Sequence, residues 1–200
     1  MRIAICPGHH VDAPGAVNHN YELNEHAEAC KVVTHAADML MAAGHDVGVF
    51  KGRLGHKVSA VNGGEYQLAV DYHFNADADH ADPHDLDDSR GTGCMVMYYP
   101  GNAMRKAQAD AISRIMAPML GRRDLGGRPG VYWGGANPGT KPDYFLAHTR
   151  CPAFITEAGY IDNNGFAKEW LVSGRHEDLA KALVAGLQPL IEQYGGASND

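Results

Sequence analysis

Three side chains capable of metal or proton chemistry come at the ends of short apolar runs in this sequence. His9 follows a Pro-Gly pair after one such run, while His73 and Glu157 each end another. Apolar runs of this length are typical of buried strands, and the carboxyl ends of parallel strands form the sheet edge where α/β proteins build their sites. Two histidines and a carboxylate at such an edge predict a zinc site accompanied by a general base.

A third metal ligand has several candidates. A hydrolytic zinc site takes three protein ligands and leaves one position for water, and a carboxylate is the usual partner of two imidazoles. Glu25 falls in the first turn of a predicted helix, which places its carboxylate near His9 at the top of the sheet. Glu22 in the preceding loop and Glu28 one turn further along the helix compete with Glu25 for this role.

Glu157 is predicted to be the general base. The residues just before it are apolar, and such surroundings raise the pKa of a carboxyl group toward the neutral range. Because zinc lowers the pKa of bound water to about 7, a carboxylate can take its proton at neutral pH. Taken singly, His9 or His73 is better explained as a histidine hydrogen-bonded to backbone at a strand end. The full set of residues favours the site.

The elements that must position these residues alternate between strands and helices. Strands are predicted at 2–6, 46–50, 67–72, 93–99 and 152–157, and helices at 24–43, 57–63, 102–120, 164–172 and 177–193. The Gly-, Pro- and Arg-rich stretch 121–142 predicts a long irregular loop. The alternation predicts an α/β fold, a single domain whose twisted, mostly parallel sheet has helices on both faces.

Composition excludes several classes of protein. The net charge of −7 argues against a nucleic-acid-binding protein, which would present a basic face. The four cysteines form no Cys-x-x-Cys pair, and Cys6, Cys94 and Cys151 lie in or beside apolar stretches, which predicts free thiols in a reducing compartment. We find no signal-peptide pattern and no run near the roughly 20 apolar residues of a membrane span. The expectation is a cytoplasmic protein without membrane insertion.

Short motifs follow one another in order along nearly the whole chain. They are Pro-Gly-His at 7–9, Pro-Gly-Ala at 14–16, His-x-Asn-Ala at 73–76 and Glu-x-Gly-Tyr-x-x-Asn at 157–163. Each is weak alone. In this order and spacing, with Glu25 opening a helix that stops at Gly44, they resemble the motifs of the zinc-dependent N-acetylmuramoyl-L-alanine amidases called amidase-3, found in bacterial cell-wall hydrolases and phage endolysins.

The resemblance implies a chemistry and a set of roles. His9, Glu25 and His73 would hold one Zn2+ ion, and Glu157 would be catalytic. The implied reaction is hydrolysis of the amide between N-acetylmuramic acid and L-alanine in bacterial peptidoglycan. We expect a catalytic domain over 1–195, a polar tail at 196–200 and no separate cell-wall-binding domain.

The biological setting is inferred from this architecture. A single catalytic domain without a signal peptide is most similar to a phage endolysin, a monomer made in the cytoplasm of the host cell and released to the wall through a holin. A bacterial wall-remodelling amidase is the alternative. A zinc peptidase that cuts within the stem peptide, or a binding protein that keeps the fold without activity, are rival hypotheses.

The chain departs from the amidase-3 pattern at two places. His10-Val11 stands where the family has Gly-Gly, so His10 competes as a ligand, although His9 is favoured because it directly follows Pro-Gly. The acidic segment Asp77–Gly93 is long for the family, and it is interpreted as a solvated loop rather than a substrate lip or weak calcium site.

Three further residues are candidates for substrate contact. Asn75 could orient His73, touch substrate or cap a turn. Arg128, with Arg122 and Arg123 nearby, could bind wall carboxylates or belong to a solvated basic loop. Tyr132, beside Trp133, could stack on a sugar ring or pack within its loop.

Overall fold

A six-stranded sheet forms the central layer of the protein. The computed structural model describes residues 1–77, 91–132 and 139–196. Its strands are β1 (Arg2–Pro7), β2 (Val17–Asn18), β3 (Leu23–Asn24), β4 (Asp46–Val49), β5 (Leu68–Asn75), β6 (Cys94–Tyr98), β7 (Asp124–Pro129), β8 (Val131–Tyr132), β9 (Lys141–Pro142) and β10 (Ala153–Tyr160). Its helices are α1 (Glu25–Ala42), α2 (Leu54–Gly63), α3 (Ala103–Met119), α4 (Tyr144–His148), α5 (Asn164–Phe166) and α6 (His176–Gly195), and a π-helical segment spans Ala167–Val172.

The strand order in the sheet is β4-β1-β5-β10-β6-β7. Strands β4, β1, β5 and β10 form a parallel block, β6 runs antiparallel to β10, and β7 runs parallel to β6. Strands β1, β5 and β10, which all have neighbours on both sides, are buried nearly throughout, since helices cover both faces of the sheet. This burial explains why they appear in the sequence as continuous apolar runs rather than alternating patterns.

Two apolar clusters fill the two sides of the sheet. Ile3 and Val70 belong to the cluster that packs against α1, α3 and α6, whereas their strand neighbours Ala4 and Ala69 belong to the cluster against α2 and α4. Side chains alternate between the faces because successive residues of a strand point in opposite directions. The predicted architecture, one α/β domain with a mostly parallel sheet and helices on both faces, is confirmed.

Helix α1 begins and ends where the sequence signals place it. Asn24 is the N-cap, and its side-chain oxygen accepts a hydrogen bond from the Ala27 amide. Buried residues recur at helical spacing along one side of the helix, and Gly44 adopts a left-handed conformation with φ of 86° just beyond its end. Glu25 thereby becomes the first residue of α1.

Several predicted boundaries are wrong. Strands β5 and β10 continue beyond their expected ends, so His73 lies within β5 rather than after it and Glu157 lies inside β10 rather than at its end. The stretch 121–142 was expected to be irregular, but it contains β7 and the antiparallel pair β8-β9. The prediction missed β7 because it is an exposed edge strand whose two glycines leave no strand pattern in the sequence. Helix α2 begins at Leu54 rather than at residue 57, and the helix expected at 164–172 is a short α-helical turn followed by the π-helical segment.

Two predictions concern the chain as a whole. Within the part of the chain that the structure describes, no helix is both long and apolar enough to cross a bilayer. The four cysteines are free, as predicted, with Cys6 and Cys94 buried and the other two half-buried. Most of the acidic segment Asp77–Gly93 lies outside the described residues.

Candidate active site

Strand register brings the candidate residues to one edge of the sheet. Glu157 on β10 is the direct partner of His73 on the neighbouring β5. On the other side of β5, Pro7 at the end of β1 pairs with Tyr72, and the chain continues into His9. The three positions therefore meet beside the N-terminus of α1, where Glu25 begins the helix.

His9, Glu25 and His73 form a compact group of possible metal ligands. Nε2 of His9 lies 2.9 Å from Oε2 of Glu25, and Nδ1 of His73 lies 2.7 Å from Oε1 of the same carboxylate. One ligand atom from each residue lies within 4.8 Å of the others. Two imidazoles and one carboxylate are a common ligand set of catalytic zinc sites, with a further position left for water.

The Glu25 carboxylate is fixed by backbone amides as well as by the histidines. Oε2 accepts a hydrogen bond from the Ala16 amide at 3.0 Å, and Oε1 accepts one from the Phe74 amide at 3.2 Å. Burial opposes its ionisation, but the hydrogen bonds from His73 and His9 prevail and lower the pKa of Glu25 to about 2. Its place at the start of α1 further favours negative charge, because the helix dipole is positive there. Glu25 is therefore an ionised, oriented carboxylate, as a metal ligand would need to be.

Two glycines leave the space that the imidazoles occupy. A Cβ atom on Gly8 would stand 2.6 Å from Nδ1 of His73, and one on Gly15 would stand 2.4 Å from Cδ2 of His9. Gly15 also has φ of 81°, a left-handed conformation that favours glycine. The glycines before and after His9 are therefore required by the packing of the site itself.

The group favours a positive charge at its centre. Burial disfavours the imidazolium form of His73, but the carboxylates of Asp71 and Glu25 outweigh burial and hold the pKa of His73 well above its usual value. In the metal-free protein a proton on the His73 ring thus offsets part of the negative charge of these carboxylates. Since a divalent cation bound by the same atoms would serve the same electrostatic role, the donor set and its surroundings fit a zinc ion.

Glu157 is buried beside this group and is held differently from Glu25. Its Oε2 atom has no hydrogen-bond partner among the described residues. Burial raises the pKa of Glu157 to about 8, and the nearby carboxylates of Glu25 and Asp71 add to the effect, while the charge of His73 opposes it. A carboxyl group with a pKa near neutrality can both accept and return a proton.

A cleft of about 680 Å3 opens next to Glu157. It extends from β10 across β6 and β7 to the start of α4. Its walls combine apolar side chains with a few polar ones and are formed by Asn75, Met95, Met97, Leu125, Arg128, Pro129, Val131, Asp143 and Glu157. Such a mixture is typical of pockets that bind an organic ligand and fix its orientation.

A family model described as N-acetylmuramoyl-L-alanine amidase, Amidase_3, matches residues 3–189. The match covers most of the chain and contains the four residues around which the site is built. The chain belongs to the Amidase_3 family.

Solved structures share the fold of this Amidase_3 domain. An N-acetylmuramoyl-L-alanine amidase from Clostridium difficile matches with a TM-score of 0.76 and 18% identity over 96% of each chain. AmiC2 of Nostoc punctiforme, another N-acetylmuramoyl-L-alanine amidase, matches with a TM-score of 0.75 and 19% identity over 96% of this chain and 97% of that one. The catalytic domain of the CD27L endolysin, which targets Clostridia difficile, matches with a TM-score of 0.70 and 22% identity over 94% and 97%. No curated protein matches the chain.

The competing ligands of the Amidase_3 domain lie elsewhere. His10 turns toward Asp12, whose carboxylate is 3.9 Å from its Nδ1 atom. Glu28 is bonded to His176 of α6 and to Lys31. Glu22 occupies a left-handed turn before β3, with φ of 53°. None of the three joins His9 and His73 in the metal-ligand group found among the described residues.

The three candidates for substrate contact divide into two groups. Asn75 and Arg128 both line the cleft, and the side-chain oxygen of Asn75 accepts a hydrogen bond from the adjacent Ala76 amide. Tyr132 is 54% exposed on the β8-β9 hairpin and is not among the residues lining the cleft, while Trp133 lies outside the described residues. Arg122 forms an ion pair with Glu169 and stacks on Phe166, which gives it a structural partner.

The sequence analysis did not predict the buried ion pair beside His73, which is formed by Lys57 and Asp71, or most of the residues that form the cleft wall. Asp71 contacts His73 from the same strand, and Lys57 of α2 contacts Asp71. A carboxylate inside the apolar run 68–72 was a visible signal, since a charged residue in a buried strand needs a partner. Met95 and Met97 gave no such signal, because methionines in a strand are equally suited to the core.

Proposed function

We propose that this protein is a zinc-dependent amidase that hydrolyses the bond between N-acetylmuramic acid and L-alanine in peptidoglycan. The observation that carries the proposal is the meeting of His9, Glu25 and His73 beside the unpartnered carboxyl oxygen of Glu157. Membership of the Amidase_3 family supports the choice of substrate.

His9, Glu25 and His73 would hold the zinc ion. When bound, zinc supplies Lewis acidity, which lowers the pKa of a water molecule to about 7 and stabilises negative charge on the amide oxygen. The chain's contribution is a ligand set held in place before binding: Glu25 by two backbone amides, and the imidazoles by the space at Gly8 and Gly15. Preorganised ligands need little rearrangement when a cation enters.

Glu157 moves the proton in the proposed reaction. Its carboxylate takes a proton from the attacking water and holds it through the addition step. It then delivers the proton to the amide nitrogen as the carbon–nitrogen bond breaks, so that L-alanine leaves as an amine and Glu157 returns to its ionised form. The burial that raises the pKa of Glu157 to about 8 brings it into the range where both transfers are efficient.

The cleft would hold the stem peptide. Arg128 could pair with a carboxylate of the peptide, and Asn75 offers an amide close to Glu157. Tyr132 remains a proposed sugar contact at the exposed β8-β9 hairpin. The apolar wall formed by Met95 and Met97 would exclude water around the scissile bond, which strengthens the electrostatic interactions there.

Product analysis tests the proposed reaction. Purified peptidoglycan is digested with the protein, with a chelator, and with zinc added back, and the products are identified by mass spectrometry. Intact stem peptides with free L-alanine amino termini, lost with chelator and restored by zinc, are expected. Cuts within the peptide would instead establish the zinc-peptidase alternative. Absence of products from several wall types would contradict an enzyme and favour a binding protein.

We further propose that the enzyme acts as a phage endolysin, working as a monomer after release from the host cytoplasm. The likeness to an endolysin catalytic domain supports this at the level of fold, which bacterial amidases share. In a lysis assay, the protein is produced in bacteria with and without an inducible holin. Rapid clearing only after holin induction is expected. Unchanged turbidity in several hosts would favour the wall-remodelling alternative.

A further inference from the structure

A buried ion pair lies directly behind the ligand His73. Lys57 of α2 is 1% exposed and Asp71 of β5 is 2% exposed. The Lys57 ammonium donates hydrogen bonds to both oxygens of Asp71, at 2.9 and 3.0 Å, and to the backbone carbonyl of Pro7 at 2.8 Å. All three of its protons thus have acceptors, and the pair is closed to solvent.

Stability alone gives little reason for such a pair. Removing two charges from water costs several kcal/mol per ion, and well-packed apolar residues often replace a buried pair with no loss of stability. Asp71 projects from the same face of β5 as Ala69, which belongs with Val58 and Ile155 to the apolar cluster against α2 and α4. The placement of the ion pair points to a role in the adjacent site.

The two nitrogens of His73 face different carboxylates. Nδ1 is directed at Glu25 and at the proposed zinc position, while Nε2 lies 3.3 Å from Oδ2 of Asp71. Asp71 and His73 are two residues apart in β5 and therefore project from the same face of the strand. A histidine that binds a metal through Nδ1 carries its proton on Nε2, and a carboxylate commonly accepts that proton in zinc sites.

We infer that Asp71 is a positioning residue for the zinc site and that Lys57 holds it in place. Asp71 accepts a hydrogen bond from Nε2–H of His73, which fixes the tautomer and ring orientation that direct Nδ1 at the ion. Lys57 also ties Asp71 to the end of β1, two residues before His9, so one ammonium links the strands that carry both histidine ligands. This inference rests on the proposed zinc-dependent function.

Zinc affinity is the first test, measured by competition with a chelating indicator. Asp71→Asn removes the charge, and the double variant Lys57→Met with Asp71→Leu removes the acceptor without leaving an unpaired buried charge. We expect affinity to fall about 10-fold in the first and 10- to 100-fold in the second. Glu28→Gln is the matched control, because it disturbs another buried Glu–His pair and should leave zinc affinity unchanged.

The tautomer of His73 is the second readout. In zinc-loaded protein labelled with 15N-histidine, long-range 1H–15N spectra of the wild type should give a protonated Nε2 and a metal-bound Nδ1 for His73. In the double variant the Nε2 proton should exchange much faster with solvent. Folding of each variant is checked by circular dichroism, and Asp71→Asn serves alone if the double variant does not fold.

The outcomes separate the two proposals. If the wild type does not bind zinc, the proposed function fails. If it binds zinc and the Asp71 variants bind as tightly as Glu28→Gln does, with an unchanged Nε2 proton, the pair is purely structural and the inference is overturned. Weaker binding confined to the Asp71 variants supports it.

Discussion

Helix α1 carries two buried glutamates one turn apart, and each contacts histidine. Glu25 lies 2.7 and 2.9 Å from nitrogens of His73 and His9, while Glu28 lies 2.5 Å from Nε2 of His176. Both glutamates are 3% exposed. At both, burial raises the pKa and hydrogen bonds to histidine lower it, with the hydrogen bonds prevailing. By chemistry alone the two would be hard to tell apart.

What differs is the space around each pair. Glu28 is closed off by Lys31 and by buried His176 at the start of α6, so the contact joins two helices. Beside Glu25, the side chain of His9 is 37% exposed, and Glu157 keeps an oxygen without a partner among the described residues. A Glu–His contact alone therefore does not indicate a metal site. The candidate metal site differs from the structural contact between α1 and α6 by its exposed histidine and by the unpartnered oxygen beside it.

Exchanging each glutamate for glutamine tests this distinction most directly. Glu25→Gln removes the charged member of the proposed ligand set, so zinc affinity should fall at least roughly 100-fold and amidase activity at least roughly 1,000-fold. Glu28→Gln should leave both within about two-fold of the wild type. Zinc content after dialysis and initial rates on peptidoglycan measure the effects. Equal losses in the two variants would contradict the assignment of separate roles.

Glu157→Gln separates proton transfer from metal binding at the same edge of the sheet. Because Gln cannot accept a proton, we expect activity to fall by about 100- to 10,000-fold. Zinc binding should persist, since Glu157 is not in the ligand group. Rates and zinc stoichiometry are measured on the same preparation. A variant that retains activity would leave the proposed mechanism without its base.

Stability should not separate the two α1 glutamates in the way that zinc binding does. Glu28→Gln weakens the hydrogen-bonded contact with His176 that joins α1 to α6, so the free energy of unfolding should fall by about 1–3 kcal/mol. Urea denaturation of metal-free protein measures it. Glu25→Gln in the metal-free protein serves as the comparison. Hydrogen bonds from His73 and His9 lower the pKa of Glu25 to about 2, so its carboxylate also stabilises the folded state at neutral pH, and a loss at least as large is expected. A Glu25→Gln variant as stable as the wild type would contradict this expectation.

The same comparison marks how far the sequence could predict the site. His9, His73 and Glu157 could be singled out because each follows an apolar run, and parallel strands of one sheet bring such positions together. Glu25 and Glu28 could not be separated by spacing, because residues three apart lie on the same side of a helix. The residue that assigns Glu28 its role is His176, which is 148 positions away in the chain and reaches it only through tertiary packing.

The buried strands of the fold could be predicted from the sequence, whereas the edge strand β7 could not. Buried parallel strands such as β1 and β10 leave continuous apolar runs, so their existence could be predicted from the sequence. The edge strand β7, with sequence Asp-Leu-Gly-Gly-Arg-Pro, has no apolar pattern and forms because β6 offers it backbone partners. Arg128 consequently lines the cleft from a strand rather than from the irregular loop that was expected.

The smallest effect we predict concerns the stability of the metal-free protein and its dependence on pH. Burial raises the pKa of Glu157 from an ordinary 4.5 to about 8 in the folded state. Between these values the unfolded chain has released this proton while the folded chain still holds it, so this residue makes stability fall as pH rises. Glutamine does not titrate, and Glu157→Gln should therefore be more stable than the wild type by about 1–3 kcal/mol at pH 8.

The advantage should shrink toward zero below pH 4.5, where the wild-type carboxyl becomes protonated in both states. Urea denaturation with chelator at several pH values measures it. Glu192→Gln, at an exposed position near the end of α6, controls for the exchange of a carboxyl for an amide. A Glu157→Gln variant less stable than the wild type at pH 8 would mean that the carboxylate stabilises the fold, contrary to its unpartnered oxygen. The predicted result would instead identify Glu157 as a residue kept at a cost in stability, as residues placed for catalysis often are.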